Sequence, residues 1–453
     1  MVHKYTLFGY NIVLDAESGA VHIVSDIAAQ MLGQIEAAIN KTGGLPDECP
    51  VSLRYSLAKY ASSEIHEAYI ELRELYINQL LFSKPDGSIA NKYDGTIKAL
   101  CLNISHGCNM ACEYCFAGKG EYGSEKKFMD EETGMKAIKF LMQNSKNRKN
   151  LEVDFFGGEP LLNFGAVKNI VENTRKLENE YNKNVRFTLT TNGTLLDGEK
   201  IDFINQNISN IVLSLDGLPE TNDNMRGRGT HEKIVPLYKK LVAGRTGQYK
   251  DYYIRGTFTN KNLNFTNDVL HICELGFKNV SVEPVVAEQE RGYSIKKEDL
   301  PVIYKEYEKL AREVINRGIN FFHFNIDLEN GPCVYKRAKG CGSGSEYLAV
   351  TPGGDIYPCH QFVGNEKYKL GSVYTDLNRE LTKKFHENNI ISNKYCEVCW
   401  AKYFCGGGCP ANNAKFNGDI YKPYEIACEM EKKRVECAIA IKVAESEKIS
   451  RLG

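Results

Sequence analysis

No apolar run in this chain reaches about 18 residues, the length a membrane-spanning helix needs. The opening MVHKYTLFGYNIVLDAESG has no apolar stretch followed by a small-residue cleavage site. Excess charge is missing as well. Lys+Arg 57 against Asp+Glu 58 leaves −1, so no global field advertises nucleic acid or a membrane surface as partner. Repeats of fixed period and low-complexity linkers are absent, and 42% hydrophobic with 25% charged residues excludes a fibrous or disordered chain. For 453 residues the expectation is two to three packed units, cytoplasmic, with no nucleic-acid and no membrane partner.

Cysteine is the abundant residue that needs explaining. Fifteen cysteines without a secretion signal do not read as a disulfide framework, because the cytosol keeps thiols reduced. Cys49, Cys101 and Cys273 are scattered, Cys108, Cys112 and Cys115 form one group, and the remaining nine run from Cys333 to Cys437. Two separate metal regions are expected.

The chain divides into three stretches by pattern. Residues 1–95 start with strand-like runs at Tyr5–Phe8, Tyr10–Leu14 and Val21–Val24 and continue as helices, one capped by Asp26 and one opening at Ser62. A ribbon with about three short helices resembles a winged helix-turn-helix. Residues 96–318 alternate strand and helix, with strands at Ile97–Ile104, Leu151–Phe156, Val185–Thr191, Ile208–Leu215, Tyr252–Thr259 and Val280–Val286. Helices are expected at Glu132–Gln143, Ala166–Tyr181, Ile234–Val242, Asn267–Leu275 and Leu300–Ile315. Such alternation implies an α/β fold with a parallel sheet, here a partial (β/α)6 TIM barrel, whose chemistry sits on loops after the strands. Residues 319–453 are Gly- and Cys-rich, with a short strand at Tyr347–Val350 and a closing helix from Ile426 to Ala444.

The first expected strand runs into Cys108-Asn109-Met110-Ala111-Cys112-Glu113-Tyr114-Cys115. Three thiolates in that spacing can wrap one face of a [4Fe–4S] cube and leave the fourth iron without a protein ligand. A zinc site completed by His106, or three free thiols, are the alternatives. The CxxxCxxC loop with aromatic Tyr114 resembles the signature of the radical S-adenosylmethionine (SAM) superfamily. That family's other landmarks follow in order: Gly157-Gly158-Glu159-Pro160 after the second strand, Thr190-Thr191-Asn192-Gly193 after the third, and Ser214-Leu215-Asp216-Gly217 with Arg226 after the fourth. By resemblance, the GGE loop lines the methionine amino group. Thr190, Asn192, Ser214, Asp216 and Arg226 hold ribose and methionine carboxylate, and Val285 packs on adenine. A zwitterionic methionine end asks for an acceptor such as Glu159 and a cationic fork such as Arg226.

The second group reads Cys341, then Gly354-Asp355-Ile356-Tyr357-Pro358-Cys359, Cys396, Cys399, Cys405, Cys409 and Cys428. These seven resemble the SPASM extension of radical SAM enzymes, which holds two auxiliary [4Fe–4S] clusters. By resemblance Cys341, Cys359 and Cys409 ligate the first auxiliary cluster, and Cys396, Cys399, Cys405 and Cys428 the second. Cys333 either supplies the eighth thiolate or is a buried apolar thiol, in which case one iron stays open to a substrate thiolate.

Residues 1–82 carry five Lys/Arg and ten Asp/Glu, a net −5, the wrong sign for phosphate contacts. An exposed ribbon edge can instead accept a peptide strand, or the segment is a structural cap. The whole chain resembles radical SAM–SPASM enzymes that install Cys thioether crosslinks in ribosomal peptides, most closely maturases of six-cysteine (SCIFF) precursors. The resemblance implies three [4Fe–4S] clusters, SAM, a precursor peptide held by the front domain, and an external electron donor such as flavodoxin or ferredoxin. Oxidation of a Cys or Ser side chain, as in sulfatase maturases, and a non-catalytic iron–sulfur protein are the other readings.

Overall fold

The computed structural model describes residues 1–85, 94–123, 125–328 and 338–450. Strands β1 (Val2–Leu7), β2 (Tyr10–Asp15) and β3 (Val21–Val24) form an antiparallel sheet in that order. Phe8 and Gly9, both at positive φ (56° and 87°), make the tight β1–β2 turn whose twist matches the flanking strands. Helices α1 (Asp26–Thr42), α2 (Val51–Ser56) and α3 (Ser62–Ile77) follow. Asp26 is not the cap of α1. Ser25 is, its Oγ accepting from the Ala28 amide at 3.2 Å, and Asp26 is the first-turn acid.

The second sheet begins with β4 (Ala99–His106), which is buried along its whole length, and β5 (Lys127–Phe128), antiparallel to its end. It continues through β6 (Asn150–Gly157), β7 (Asn184–Thr191), β8 (Asn210–Ser214), β9 (Asp251–Phe258) and β10 (Asn279–Pro284). The order β4-β6-β7-β8-β9-β10 is parallel throughout, as strand–helix alternation requires. Between and after these strands lie α4 (Glu131–Asn144), α5 (Phe164–Tyr181), α6 (Gly198–Asn207), α7 (Pro219–Arg226), α8 (Thr230–Ala243), α9 (Phe265–Glu274) and α10 (Leu300–Arg317). Asp130 and Asp197 cap α4 and α6 by accepting from Thr133 and Lys200 amides, and Gly318 (φ 64°) ends α10.

The sheet does not stop with these six strands. Strand β11 (Asn320–Phe321) adds to β10, and β12 (Tyr347–Val350) pairs parallel with β4 on the opposite side. Strands β13 (Asp355–Tyr357) and β14 (Gly371–Ser372) extend it antiparallel. The Cys-rich segment therefore continues the same sheet, and Phe116 after β4 and His360 after β13 have ring centres 5.4 Å apart. Helices α11 (Arg379–Glu387), α12 (Lys394–Glu397), α13 (Lys402–Cys405), α14 (Pro410–Asn417) and α15 (Glu425–Ser450) complete the chain.

Fully buried Leu100, Leu102, Ile104, Val153, Phe155, Phe187, Leu189 and Ile211 form the centre of the main core. Leu7, Ile12 and Leu14 of the front sheet join that same core, together with Val435 and Ile439 of α15. Helices α1 to α3 have their own core around Met31, Ile35 and Tyr69.

Candidate active site

The loops that leave the C-terminal ends of the parallel strands converge on one cavity of about 250 Å³. Cys108, Cys112, Tyr114 and Cys115 line it, as do Gly157, Gly158, Glu159, Thr190, Asn192, Ser214, Arg226 and Val285. Two of the expected residues stand behind the wall. Pro160 is buried at the start of a 3₁₀ turn, and Asp216 is fully buried under Tyr114 and Arg226.

The glycines serve a different contact from the one their sequence suggests. A Cβ on Gly157 would lie 2.3 Å from the Ser105 carbonyl oxygen, and one on Gly158 would lie 2.1 Å from that of Gly107. Both missing side chains let the β6 loop lie against the backbone entering the first cysteine loop, where Gly158 and Glu159 amides donate to Ser105 and Gly107 carbonyls.

Glu159 is likewise an internal staple. Its carboxylate accepts from Thr191 Oγ1 (2.7 Å), the Asn192 amide (2.8 Å) and the Leu161 amide (3.0 Å). Burial pushes its carboxyl up to about 7, against the pull of those three donors. With its acceptors so used, the side chain joins the β6 and β7 loops. Glu159 nevertheless remains one of the residues that line the cavity. Asn192 then ties the β7 loop to the cysteines, donating to Asn109 Oδ1 at 3.0 Å and to Cys108 Sγ at 3.7 Å.

Asp216 organises the other side. Its carboxylate accepts from Tyr114 Oη (2.7 and 2.9 Å), Arg226 Nη2 (2.9 Å) and the Thr257 amide (2.9 Å). The Tyr114 side chain of the cysteine loop and the Arg226 guanidinium are thus fixed by one carboxylate, with Arg226 5.6 Å from the Tyr114 ring centre. Burial acts to lower the Arg226 pKa, but Asp216 more than offsets it and the guanidinium stays protonated. Arg226 Nε is buried and has no hydrogen-bond partner among the described residues. A charged fork with an unused donor on a cavity wall fits a ligand carboxylate.

Several lining residues escape sequence reasoning: Phe116, Phe156, Arg255, Thr257, Glu283, His360 and Gln361. The signal for two of them is present in the strands. Arg255 and Glu283 are charged residues inside otherwise apolar or small runs of β9 and β10.

Three sets of cysteines act on one another's thiols: Cys108 with Cys112 and Cys115, Cys359 with Cys341 and Cys409, and Cys428 with Cys396, Cys399 and Cys405. Burial pushes the Cys108 thiol up to about 11, with Cys112 and Cys115 adding to the shift. Burial, then Cys409 and Cys341, raises Cys359 to about 12. Burial, then Cys396 and Cys399, raises Cys428 to about 11, and Cys405, also raised by burial to about 12, has Cys428 as a neighbour. Thiols crowded in this way bind iron only by releasing protons, which suits clusters whose ligands are thiolates. Among the described residues no group of three His, Cys, Asp or Glu is drawn in tightly enough for a single metal ion. A four-iron cube asks for a wider spread, because each thiolate reaches a different iron. Cys333 lies outside the described residues. Cys49, Cys101 and Cys437 are buried and Cys273 is half-buried, and of these Cys101 lies near enough to Cys359 to be raised by it.

Residues 102–245 match the family model of the radical SAM superfamily. A cysteine-type anaerobic sulfatase-maturating enzyme of Clostridium perfringens is 27% identical over 359 residues, covering 72% of this chain and 93% of the relative. Among solved structures, native anSMEcpe with bound AdoMet and Cp18Cys peptide superposes with TM-score 0.62 at 22% identity, over 78% of this chain and 99% of that one. Streptococcus suis SuiB bound to precursor peptide SuiA superposes with TM-score 0.52 at 17% identity, over 94% and 98%. No helix among the described residues is long and apolar enough to cross a membrane. The cysteine signature and the loops after β6, β7 and β8 all lie within the stretch, residues 102–245, that matches the radical SAM superfamily model.

Proposed function

We propose that this chain modifies a ribosomally made, cysteine-rich precursor peptide, joining Cys sulfur to carbon of an acceptor residue. The observation that carries the reading is the single cavity in which three cysteines, the GGEP, TTNG and SLDG loops and Arg226 meet. Cys108, Cys112 and Cys115 would hold a [4Fe–4S] cluster, and Arg226 would take the SAM carboxylate. Bound there, cluster and SAM together supply a 5′-deoxyadenosyl radical that abstracts a substrate hydrogen. The chain's own part is to bind, orient and exclude water, with Asp216 and Glu159 fixing the loops that do so. Cys341, Cys359 and Cys409 would hold one auxiliary cluster, and Cys396, Cys399, Cys405 and Cys428 a second. Cys333 stays a candidate eighth ligand.

A peptide substrate is supported by the two neighbours with bound peptides and by the front domain. Among the described residues strand β3 is paired only with β2, and Ile23 on it is 44% exposed. Beside it a cavity of about 320 Å³ is lined by Val21–Ser25, Ala28, Glu71, Leu72 and Leu75. An extended leader segment added to that edge would gain backbone bonds and a pocket of mixed polar and apolar lining at once.

The test is anaerobic reconstitution followed by assay of 5′-deoxyadenosine, together with mass spectrometry of a co-expressed precursor. A thioether removes two hydrogens per crosslink and retains every sulfur. The Clostridium perfringens relative favours a second reading, oxidation of one Cys side chain to an aldehyde, in which the sulfur is lost. Absence of 5′-deoxyadenosine from the reduced, SAM-loaded protein would defeat both.

A further inference from the structure

The cavity has a half that the cofactor reading leaves unused, lined by Phe116, Phe156, Arg255, Glu283, His360 and Gln361. Ring centres of Phe116 and Phe156 lie 5.4 and 4.8 Å from that of His360. The first cysteine loop, β6 and the loop after Cys359 therefore share one aromatic wall.

That half also contains an ion pair. Arg255 Nη2 of β9 is 2.7 Å from Glu283 Oε1 of β10, with the two side chains 46% and 36% exposed. The pair is braced from outside the cavity. His323 Nε2 is 3.9 Å from Glu283 Oε1 and 3.2 Å from Ser281 Oγ, and His323 Nδ1 is 3.1 Å from Arg434 Nη1 of α15. Burial acts to raise the Glu283 carboxyl, but Arg255 first, then His323, Arg434 and His360, hold it below the ordinary range. The carboxylate stays ionised and in place.

A pair built only for stability would spend its donors and acceptors on protein. Arg255 has no acceptor other than Glu283 among the described residues, although a guanidinium carries five N–H donors, and Glu283 Oε2 has no donor there. Donor and acceptor side by side in a cavity wall are complementary to the C=O and N–H of an extended chain. We infer that Arg255 and Glu283 grip the backbone of one residue of an extended substrate, whose own C=O and N–H point to the same edge, the guanidinium donating to that C=O and the carboxylate accepting that N–H. The inference rests on the peptide reading above and deepens it: the pair touches backbone, so it sets which residue faces the radical without reading its side chain.

The test uses the full chain, anaerobically reconstituted and SAM-loaded, with the blocked peptide acetyl-Ala-Ala-Cys-Ala-Ala-amide as probe, followed by titration calorimetry. Glu283→Gln should weaken probe binding roughly tenfold, the loss expected when a hydrogen bond to a charged group becomes a neutral one. Replacing the probe's amides by esters, one position at a time, should find one N–H whose removal costs the wild type a similar factor and costs Glu283→Gln less than twofold. Glu283→Asp should recover part of the affinity, and SAM affinity should stay within twofold in every variant. Additive losses, an unchanged probe affinity in Glu283→Gln, weakened SAM binding, or no saturable binding to the wild type would each overturn the inference. Cleavage of SAM on the same samples separates the two levels. Intact cleavage with additive losses refutes the pair's role alone, whereas a wild type that cannot cleave SAM refutes the underlying reading.

Discussion

The buried pair between the front sheet and the Cys-rich segment allows a test that needs no substrate. Glu17, in the β2–β3 turn, receives Lys402 Nζ on Oε1 at 2.7 Å and Tyr403 Oη on Oε2 at 2.8 Å. Their side chains are only 4% (Glu17) and 8% (Lys402) exposed, and Lys402 Nζ also donates to the Glu397 carbonyl at 3.1 Å. Lys402→Met would strand a carboxylate in a dry interface, a change that costs about 3–5 kcal/mol in buried pairs. Glu17→Gln should cost less, since the amide oxygen still accepts from Tyr403 and Lys402 keeps Glu397. The double change Glu17→Met with Lys402→Met should be far milder than the sum, because no charge is left unpaired. Urea unfolding of the reconstituted chain followed by tryptophan emission reads all three. The reporter is well placed: Trp400, the one tryptophan, stacks on His3 of β1 with ring centres 3.7 Å apart. A Lys402→Met protein within 1 kcal/mol of wild type, or a double variant as weak as the sum of the singles, would refute the argument.

Arg226→Lys should lower SAM affinity by roughly tenfold or more, since an ammonium cannot serve Asp216 and a ligand carboxylate as a fork does; equilibrium dialysis measures it, and unchanged affinity would remove Arg226 from the site. Replacing Cys108, Cys112 and Cys115 by Ala together should remove about 4 of an expected total of about 12 iron per chain and all 5′-deoxyadenosine formation, which iron analysis and chromatography check. Burial raises the Asp154 carboxyl from 3.8 to about 7, so the folded state holds its proton more tightly than the unfolded chain. Its contribution to stability is complete below pH 3.8 and is lost as pH climbs through about 7. Stability of wild type relative to Asp154→Asn should therefore decline over that window, and a flat difference would contradict it. Ile23→Glu, at the open β3 edge, should weaken binding of a leader segment at least tenfold with peptide-independent SAM cleavage unchanged; equal leader affinity would argue for a purely structural front sheet.

The parallel strands are legible in the sequence because each is a short apolar run followed by a loop of chemically unusual residues. Helices α6 and α7 are not: GEKIDFINQN and PETNDNMR carry too few apolar residues to reveal a period. Helix α2 is six residues long and fails for the same reason. Site residues are legible as far as motif spacing carries them, but their duties are not. GGEP looks like a loop that meets its ligand through glycine and glutamate. In the fold the glycines meet Ser105 and Gly107, and the glutamate meets Thr191, Asn192 and Leu161. Arg255 and Glu283 are visible in the sequence as charges within strands, but their pairing is not, because an ion pair across adjacent parallel strands joins residues one crossover apart, which local periodicity does not register. Nor does spacing announce that Tyr347–Val350 lies beside β4.

That last placement changes how the front segment can be understood. Had the three stretches been beads, removing residues 1–95 would isolate recognition from chemistry. Instead Leu7, Ile12 and Leu14 lie in the barrel's core, Tyr5 Oη donates to the Glu436 carbonyl of α15, and His3 Nε2 is 2.9 Å from Glu436 Oε1. The same sheet reaches the loop between Cys399 and Cys405 through Glu17. Truncation would expose apolar core and leave Lys402 buried without its carboxylate, so lost peptide binding after truncation would say nothing about β3. A single substitution at Ile23 leaves those contacts intact, because it changes the far strand of the sheet. The open edge is thus the far strand of a sheet whose β2–β3 turn meets Lys402 and Tyr403 of the second cysteine region. A segment bound on β3 is then presented from a fixed point relative to the cavity, and the reach from that edge to the cavity sets how far along a bound peptide the chemistry can fall.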